Sequence, residues 1–75
     1  MQVKMPQLRP DMDNGLLVAW LKKPGDKVEQ GDPLYEIESD KVVSQIAADC
    51  AGTLTQQLAE EGDEVQVDQV VAIIE

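Results

Sequence analysis

Short apolar stretches alternate with turn-forming residues along the whole chain. The apolar-rich runs are Val3-Met5, Leu16-Leu21, Leu34-Ile37, Val42-Ala47, Thr53-Leu58 and Val70-Ile74. Between them stand Pro24-Gly25-Asp26, Gly31-Asp32-Pro33, Ser39-Asp40, Asp49 to Gly52, and Gly62-Asp63. Each favours a turn: glycine supplies positive φ, proline fixes its own φ, and Asp and Ser bond their own backbone. Several runs alternate with period two, with Leu34, Glu36 and Glu38 opposite Tyr35 and Ile37. Short strands cut by frequent turns predict an all-β sandwich or barrel. The best helical spacing lies in Leu54-Glu64, through Leu54 and Leu58. Gly62 truncates it, and Thr53 and Thr55 favour strand, so the stretch is read as β.

The pattern also repeats. A shift of 37 residues lays Gly15 on Gly52, Leu17 on Leu54, Leu21 on Leu58 and Gly25-Asp26 on Gly62-Asp63. The same shift lays Val28 on Val65, Leu34 on Val71, and Ile37-Glu38 on Ile74-Glu75. These are turn glycines and alternating apolar sites, the positions that fix a backbone path. Two half-domains of about four strands each are expected, packed into one core with pseudo-two-fold symmetry, since neither could bury its apolar face alone. Gly25 and Gly62 are then equivalent turn residues. Glu38 to Lys41 joins the last strand of the first half to the strand that opens at Val42. Ser39 and Asp40 suit a tight turn, which places Lys41 at or beside a hairpin tip, projecting into solvent.

Composition narrows the chemistry. Seventy-five residues form one domain, 1–75, with room for one small core. With one Trp, one Tyr and no Phe, that core is aliphatic. No apolar run is long enough for a transmembrane helix, and the first residues lack the charged-then-apolar pattern of a secretory leader. One Cys and no His exclude an internal disulfide, leave no zinc ligand set, and remove His-based catalysis. A net charge of −9 has the wrong sign for binding a nucleic-acid backbone. The charge is uneven: residues 1–35 carry five acids and five bases, whereas residues 36–75 carry ten acids and one base, Lys41.

The segments Pro24-Gly25-Asp26, Gly31-Asp32-Pro33-Leu34, Glu38-Ser39-Asp40-Lys41, Ala51-Gly52 and Glu61-Gly62-Asp63 stand in an order that resembles a lipoyl domain of a 2-oxo acid dehydrogenase complex. The similarity runs from Met5-Pro6 to Glu75. Any acidic loop can contain Asp-Lys; the tetrapeptide ten residues before Ala51-Gly52, within a 37-residue repeat, is far more specific. The resemblance implies a barrel-sandwich hybrid of two four-stranded antiparallel sheets. It also implies that Lys41 carries lipoic acid in amide linkage, as a swinging arm that is acylated by a thiamine-dependent decarboxylase and discharged at an acyltransferase site to coenzyme A. Implied partners are a lipoate ligase or lipoyl transferase and the decarboxylase, acyltransferase and dihydrolipoamide dehydrogenase components, in the bacterial cytoplasm or the mitochondrial matrix. On this resemblance Glu38, Asp40 and Val42 are recognised by partners, and the loop Leu8 to Asn14 lies near the lysine. The isolated domain is expected to be a non-catalytic monomer with no metal.

Lysine suits the role because it ends a long flexible stem in an amine that is nucleophilic once deprotonated. Ser44, Ala47, Asp68 and Val42 depart from the family's usual residues. Asp68 stands where glycine is usual. Cys50 is expected to be a buried structural thiol and Trp20 to pack on a sheet face. Two rival readings share the fold. A biotin carrier has methionine on both sides of its lysine, whereas Asp40 and Val42 flank Lys41. An unmodified assembly module has no need of the lysine.

Overall fold

A computed structural model describes all residues, 1–75. It contains eight strands and no helix: β1 (Gln2–Lys4), β2 (Asn14–Trp20), β3 (Lys27–Val28), β4 (Pro33–Ser39), β5 (Val42–Ala47), β6 (Gly52–Gln57), β7 (Glu64–Gln66) and β8 (Val70–Ile74). They form two antiparallel four-stranded sheets, β1-β8-β6-β3 and β5-β4-β2-β7. Replacing β1, β2, β3 and β4 by β5, β6, β7 and β8 turns the order of one sheet into that of the other. The expected two-fold is therefore present in the topology, but the halves are interleaved, since each sheet takes two strands from each half.

Hydrogen bonds repeat the symmetry atom by atom. Gly25 N–H donates to Leu54 O at 2.7 Å, and Gly62 N–H donates to Leu17 O at 2.8 Å. Leu54 N–H donates to Asp26 O, and Leu17 N–H to Asp63 O, both at 2.9 Å. The Asp26 and Asp63 carboxylates each accept, at 2.9 Å, the N–H three residues earlier, on Lys23 and Glu60. Gly25 and Gly62 both have φ +96°, a left-handed conformation that side chains disfavour. β2 and β6 each carry one bulge residue, Val18 and Thr55, again 37 apart.

The core lies between the sheets. Leu17, Leu34, Tyr35, Ile37, Leu54, Val65 and Val71 are fully enclosed, and Met5 and Met12 from the long β1–β2 connection close one side. Burial of each aliphatic member stabilises by roughly 1.5–3 kcal/mol; Tyr35 adds one fully enclosed aromatic ring to a core that the composition predicts to be aliphatic. Leu34 departs from the alternation expected in β4: it is buried together with Tyr35 and Ile37, because the register slips between Pro33 and Tyr35. Glu36 and Glu38 keep the outward side. Cys50 is half-buried against the core edge rather than enclosed. Trp20 packs its ring 5.2 Å from that of Tyr35 and donates from Nε1 to Ala59 O.

The symmetry also has one defect. Relative to the β4–β8 pair, β1 and β5 are offset by 43 residues, since Lys4 opposes Val70 as Ala47 opposes Pro33. The six extra residues lie in the β1–β2 connection, which is absent as such from the shorter β5–β6 turn. The two-fold carries the β4–β5 hairpin onto β8 and β1, where the chain ends meet and the Met1 amino group donates to Ile74 O. The hairpin tip and the chain ends lie at opposite ends of the body. The tip is level with Leu16 and Glu38, whereas Trp20 and Leu34, at the other end of the same sheet, lead through the Gly25 turn to Leu54 and its partner Ile74.

Candidate functional site

Ser39 and Val42 close the β4–β5 ladder, leaving Asp40 and Lys41 as a two-residue turn. Both have positive φ, +51° for Asp40 and +67° for Lys41. Two left-handed central residues match the right-handed twist of the flanking strands, which is why two-residue hairpins of this kind usually read Asn-Gly. Asp tolerates this conformation through its short polar side chain, but Lys gains nothing from it locally. The turn thus places a costly backbone under the one basic residue of the acidic half. Lys41 is exposed and takes part in no ion pair or side-chain hydrogen bond. An amine held at a rigid tip and free of partners is open to acylation by an enzyme that can engage the tip.

Arg9 braces the turn from the side. Its Nη2 donates to Ser39 Oγ at 2.6 Å and to Asp40 Oδ2 at 3.0 Å, and Nη1 reaches Ser39 O at 3.4 Å. Arg9 also faces Asp11 at 3.9 Å. The six-residue excess in the β1–β2 connection is therefore the segment that reaches the turn, and the expected loop lies beside Lys41 through Arg9, although it ends at Asp13, since Asn14 already belongs to β2. Arg9 neutralises the carboxylate next to Lys41 in sequence. The sequence reading placed the loop but missed this residue; its only signal is that Arg9 is the sole arginine of the chain.

Glu38 is half-exposed on the outer face of β4, between Val43 of β5 and Leu16 of β2. Val42 is 55% exposed directly after the turn. Glu38, Asp40, Lys41 and Val42 thus share one end of one sheet. The larger surface recess, about 590 Å³, is lined by Trp20, Lys23, Gln57, Ala59, Glu60 and Glu61, at the end away from Lys41. Burial first, and the Asp49 charge second, raise the Tyr35 phenol above the ordinary tyrosine value. Its hydroxyl is enclosed without a hydrogen-bond partner.

A family model described as biotin-requiring enzyme matches residues 1–74. The chain is 41% identical over 73 residues to the dihydrolipoyllysine-residue succinyltransferase component of the 2-oxoglutarate dehydrogenase complex of Bacillus subtilis (strain 168), covering 97% of this chain and 18% of that protein. It is 45% identical over 74 residues to the dihydrolipoyllysine-residue acetyltransferase component of the pyruvate dehydrogenase complex of Zymomonas mobilis, covering 97% of this chain and 17% of that one. The chain thus spans less than a fifth of either relative. Among solved structures, the lipoyl domain of the 2-oxoglutarate dehydrogenase complex from Azotobacter vinelandii superposes with a TM-score of 0.79 at 28% identity, over 100% of this chain and 95% of that one.

Proposed function

From the premise that the chain is a lipoyl domain and belongs to the biotin and lipoyl attachment family, we propose that Lys41 carries lipoic acid through an amide on Nζ and serves as the swinging arm of a 2-oxo acid dehydrogenase complex. The observation that carries the reading is the turn itself. Lys41 stands exposed at left-handed φ on a two-residue hairpin, inside Glu38-Ser39-Asp40-Lys41, with its ammonium unpaired.

The chain's own residues present the arm. β4 and β5 hold the base of the tip, Arg9 ties Ser39 and Asp40 to the loop, and the four methylenes of Lys41 supply the reach. When bound, lipoic acid supplies a dithiolane that accepts an acyl group with reduction and passes it on to a thiol. Attachment requires Lys41 Nζ to lose its proton and attack the activated carboxyl of lipoate, with the activating group leaving. The ammonium becomes a neutral amide, so the net charge moves from −9 to −10. Tethering then supplies a high effective concentration at each active site the arm visits. The acyl donor is the thiamine-dependent decarboxylase, the acceptor the acyltransferase site, and dihydrolipoamide dehydrogenase restores the disulfide. Glu38, Asp40 and Val42 are the residues that partners read around the turn. The compartment that suits the reading is the bacterial cytoplasm or the mitochondrial matrix.

Intact-mass measurement after incubation with lipoate ligase, ATP and lipoate tests this reading. A single adduct on Lys41 is expected, absent from Lys41→Ala. The double substitution Asp40→Lys with Lys41→Asp should abolish it too, since a one-residue shift re-aims the side chain. An adduct on Lys4, Lys22, Lys23 or Lys27, or one gained only with a biotin ligase and biotin, overturns it.

A further inference from the structure

The two-fold gives this molecule an internal control, because outer-face positions of β2, β4 and β7 have counterparts 37 residues away on the other sheet; Val43 of β5, where the offset is 43, has none. On the Lys41-bearing sheet, Val43, Glu38, Leu16 and Glu64 form one row across all four strands. Glu36 and the bulge residue Val18 lie behind it. Leu16, Val18 and Val43 are 39%, 40% and 51% exposed. The counterparts of Leu16, Val18 and Glu64, 37 residues away, are Thr53, Thr55 and Lys27. Thr53 and Thr55 occupy the same backbone, with the same bulge, so the fold does not require apolar residues at Leu16 and Val18. β-branched threonine is as good a strand former as valine. No lysine or arginine belongs to β2, β4, β5 or β7, whereas β1 and β3 of the other sheet carry Lys4 and Lys27.

We infer that the outer face formed by Leu16, Val18, Val43, Glu36, Glu38 and Glu64 is a docking surface for the enzyme that loads the Lys41 arm, met there by a protein surface that sets apolar side chains among lysines and arginines. The inference rests on the reading of Lys41 as the lipoylated residue. Charge decides the kind of partner. A second copy would bring three glutamates against three, and anionic lipid or nucleic acid would be repelled in the same way. A basic protein surface gains steering from those carboxylates and binding energy from the exposed leucine and valines. Position decides which protein. An attachment enzyme has to take Lys41 Nζ into its own active site, so its contacts centre on Glu38 to Val42. Glu36, Val18 and Glu64 lie beyond that turn. A loading enzyme meets an arm already extended, so it can hold the sheet face while the arm enters its active site.

The symmetry also supplies variants that the backbone already tolerates: Leu16→Thr with Val18→Thr, and Glu64→Lys, each copying its two-fold counterpart. The lipoylated chain and both variants would be assayed for reductive acylation with the decarboxylase components of the pyruvate and 2-oxoglutarate complexes of the source organism, at several salt concentrations. Ligase-catalysed lipoylation and urea denaturation would be measured in parallel. The expected result is a KM for the domain raised about tenfold or more in each variant with kcat unchanged, unaltered lipoylation, and a weaker salt dependence in Glu64→Lys. Unchanged acylation kinetics in both variants overturns the docking face. Lipoylation impaired in parallel with acylation also overturns it, assigning the face to the attachment enzyme, and so does a concentration-dependent dimer of the unsubstituted chain that the threonine pair abolishes. Absence of lipoylation in the unsubstituted chain is a different failure, that of Lys41 as the modified residue.

Discussion

Asp68 occupies the position of Gly31 in the other half, 37 residues on, and adopts the same left-handed backbone, φ +70° against +92°. Both N–H groups donate to the residue just past the matching strand, Gly31 to Ala48 O after β5 at 2.9 Å and Asp68 to Met5 O after β1 at 2.8 Å. The Asp68 side chain forms no hydrogen bond or ion pair that would offset the strain. Asp68→Gly should therefore stabilise the domain, by about 0.5 kcal/mol. Relief of roughly 1–2 kcal/mol of left-handed strain outweighs the roughly 0.5–1 kcal/mol of backbone entropy that glycine loses. Asp68→Ala should go the other way. Urea denaturation of the two variants checks the pair of signs, and a stabilised alanine variant would contradict the account.

The same backbone physics acts at Lys41. Lys41→Gly should be more stable than Lys41→Ala by about 1 kcal/mol, because only glycine enters the φ +67° position without a side-chain penalty. On the proposed reading, neither variant accepts a lipoyl group. Equal denaturation midpoints would mean that the turn relaxes in the alanine variant and that the left-handed geometry is not imposed by the strands.

Tyr35→Phe removes an enclosed hydroxyl that has no partner. Leaving a polar group dry costs about 1–3 kcal/mol, so this variant should match or exceed the parent in stability. pH dependence gives a second readout. Burial raises the Tyr35 pKa above its value in the unfolded chain, where it is about 10. The unfolded state therefore releases that proton first, and stability is fully present below pH 10 and falls as pH rises further. The phenylalanine variant should show a shallower alkaline loss. Identical alkaline profiles would remove Tyr35 as the cause.

Arg9→Ala should cost under about 1 kcal/mol, since the Arg9–Asp40 pair is largely exposed. Its effect should be local. Amide exchange at Asp40, Lys41 and Val42 should quicken while exchange in β6 and β8 stays unchanged. Arg9→Lys should restore little, because an ammonium cannot span Ser39 and Asp40 as the planar guanidinium does. Uniform exchange rates across all three proteins would show that the loop does not brace the turn.

The all-β class, the pseudo-symmetry and the Lys41 hairpin were legible because they rest on turn residues and on alternation, both local signals. Val42–Ala47 and Val70–Ile74 were bounded correctly for that reason. β3 and β7, at two and three residues, are too short to show a period and went unread. The correspondence of β1 with β5 was hidden because the Arg9 loop changes the offset from 37 to 43 residues. Leu34 was set on the wrong face because a bulge carries no composition signal. Arg9 was invisible as a site residue because its contacts lie 30 and 31 residues away. Cys50 stands where the family has small apolar residues, which predicts a buried thiol; its place in the β5–β6 turn leaves it half open.

The interleaved sheets also dictate when the domain can fold. Of the strand pairings, only β4–β5 joins neighbours in sequence; β1 waits for β8, β3 for β6, and the outer edge of β2 for β7. Pairing of this kind is slow, because the chain loses loop entropy before distant contacts reward it. During synthesis the first half emerges with no partner for β1 or β3, and only the hairpin under Lys41, with β2 alongside, can close early. Cooperative structure has to await β8, so truncation anywhere before Val70 should yield an unfolded chain rather than a smaller stable unit.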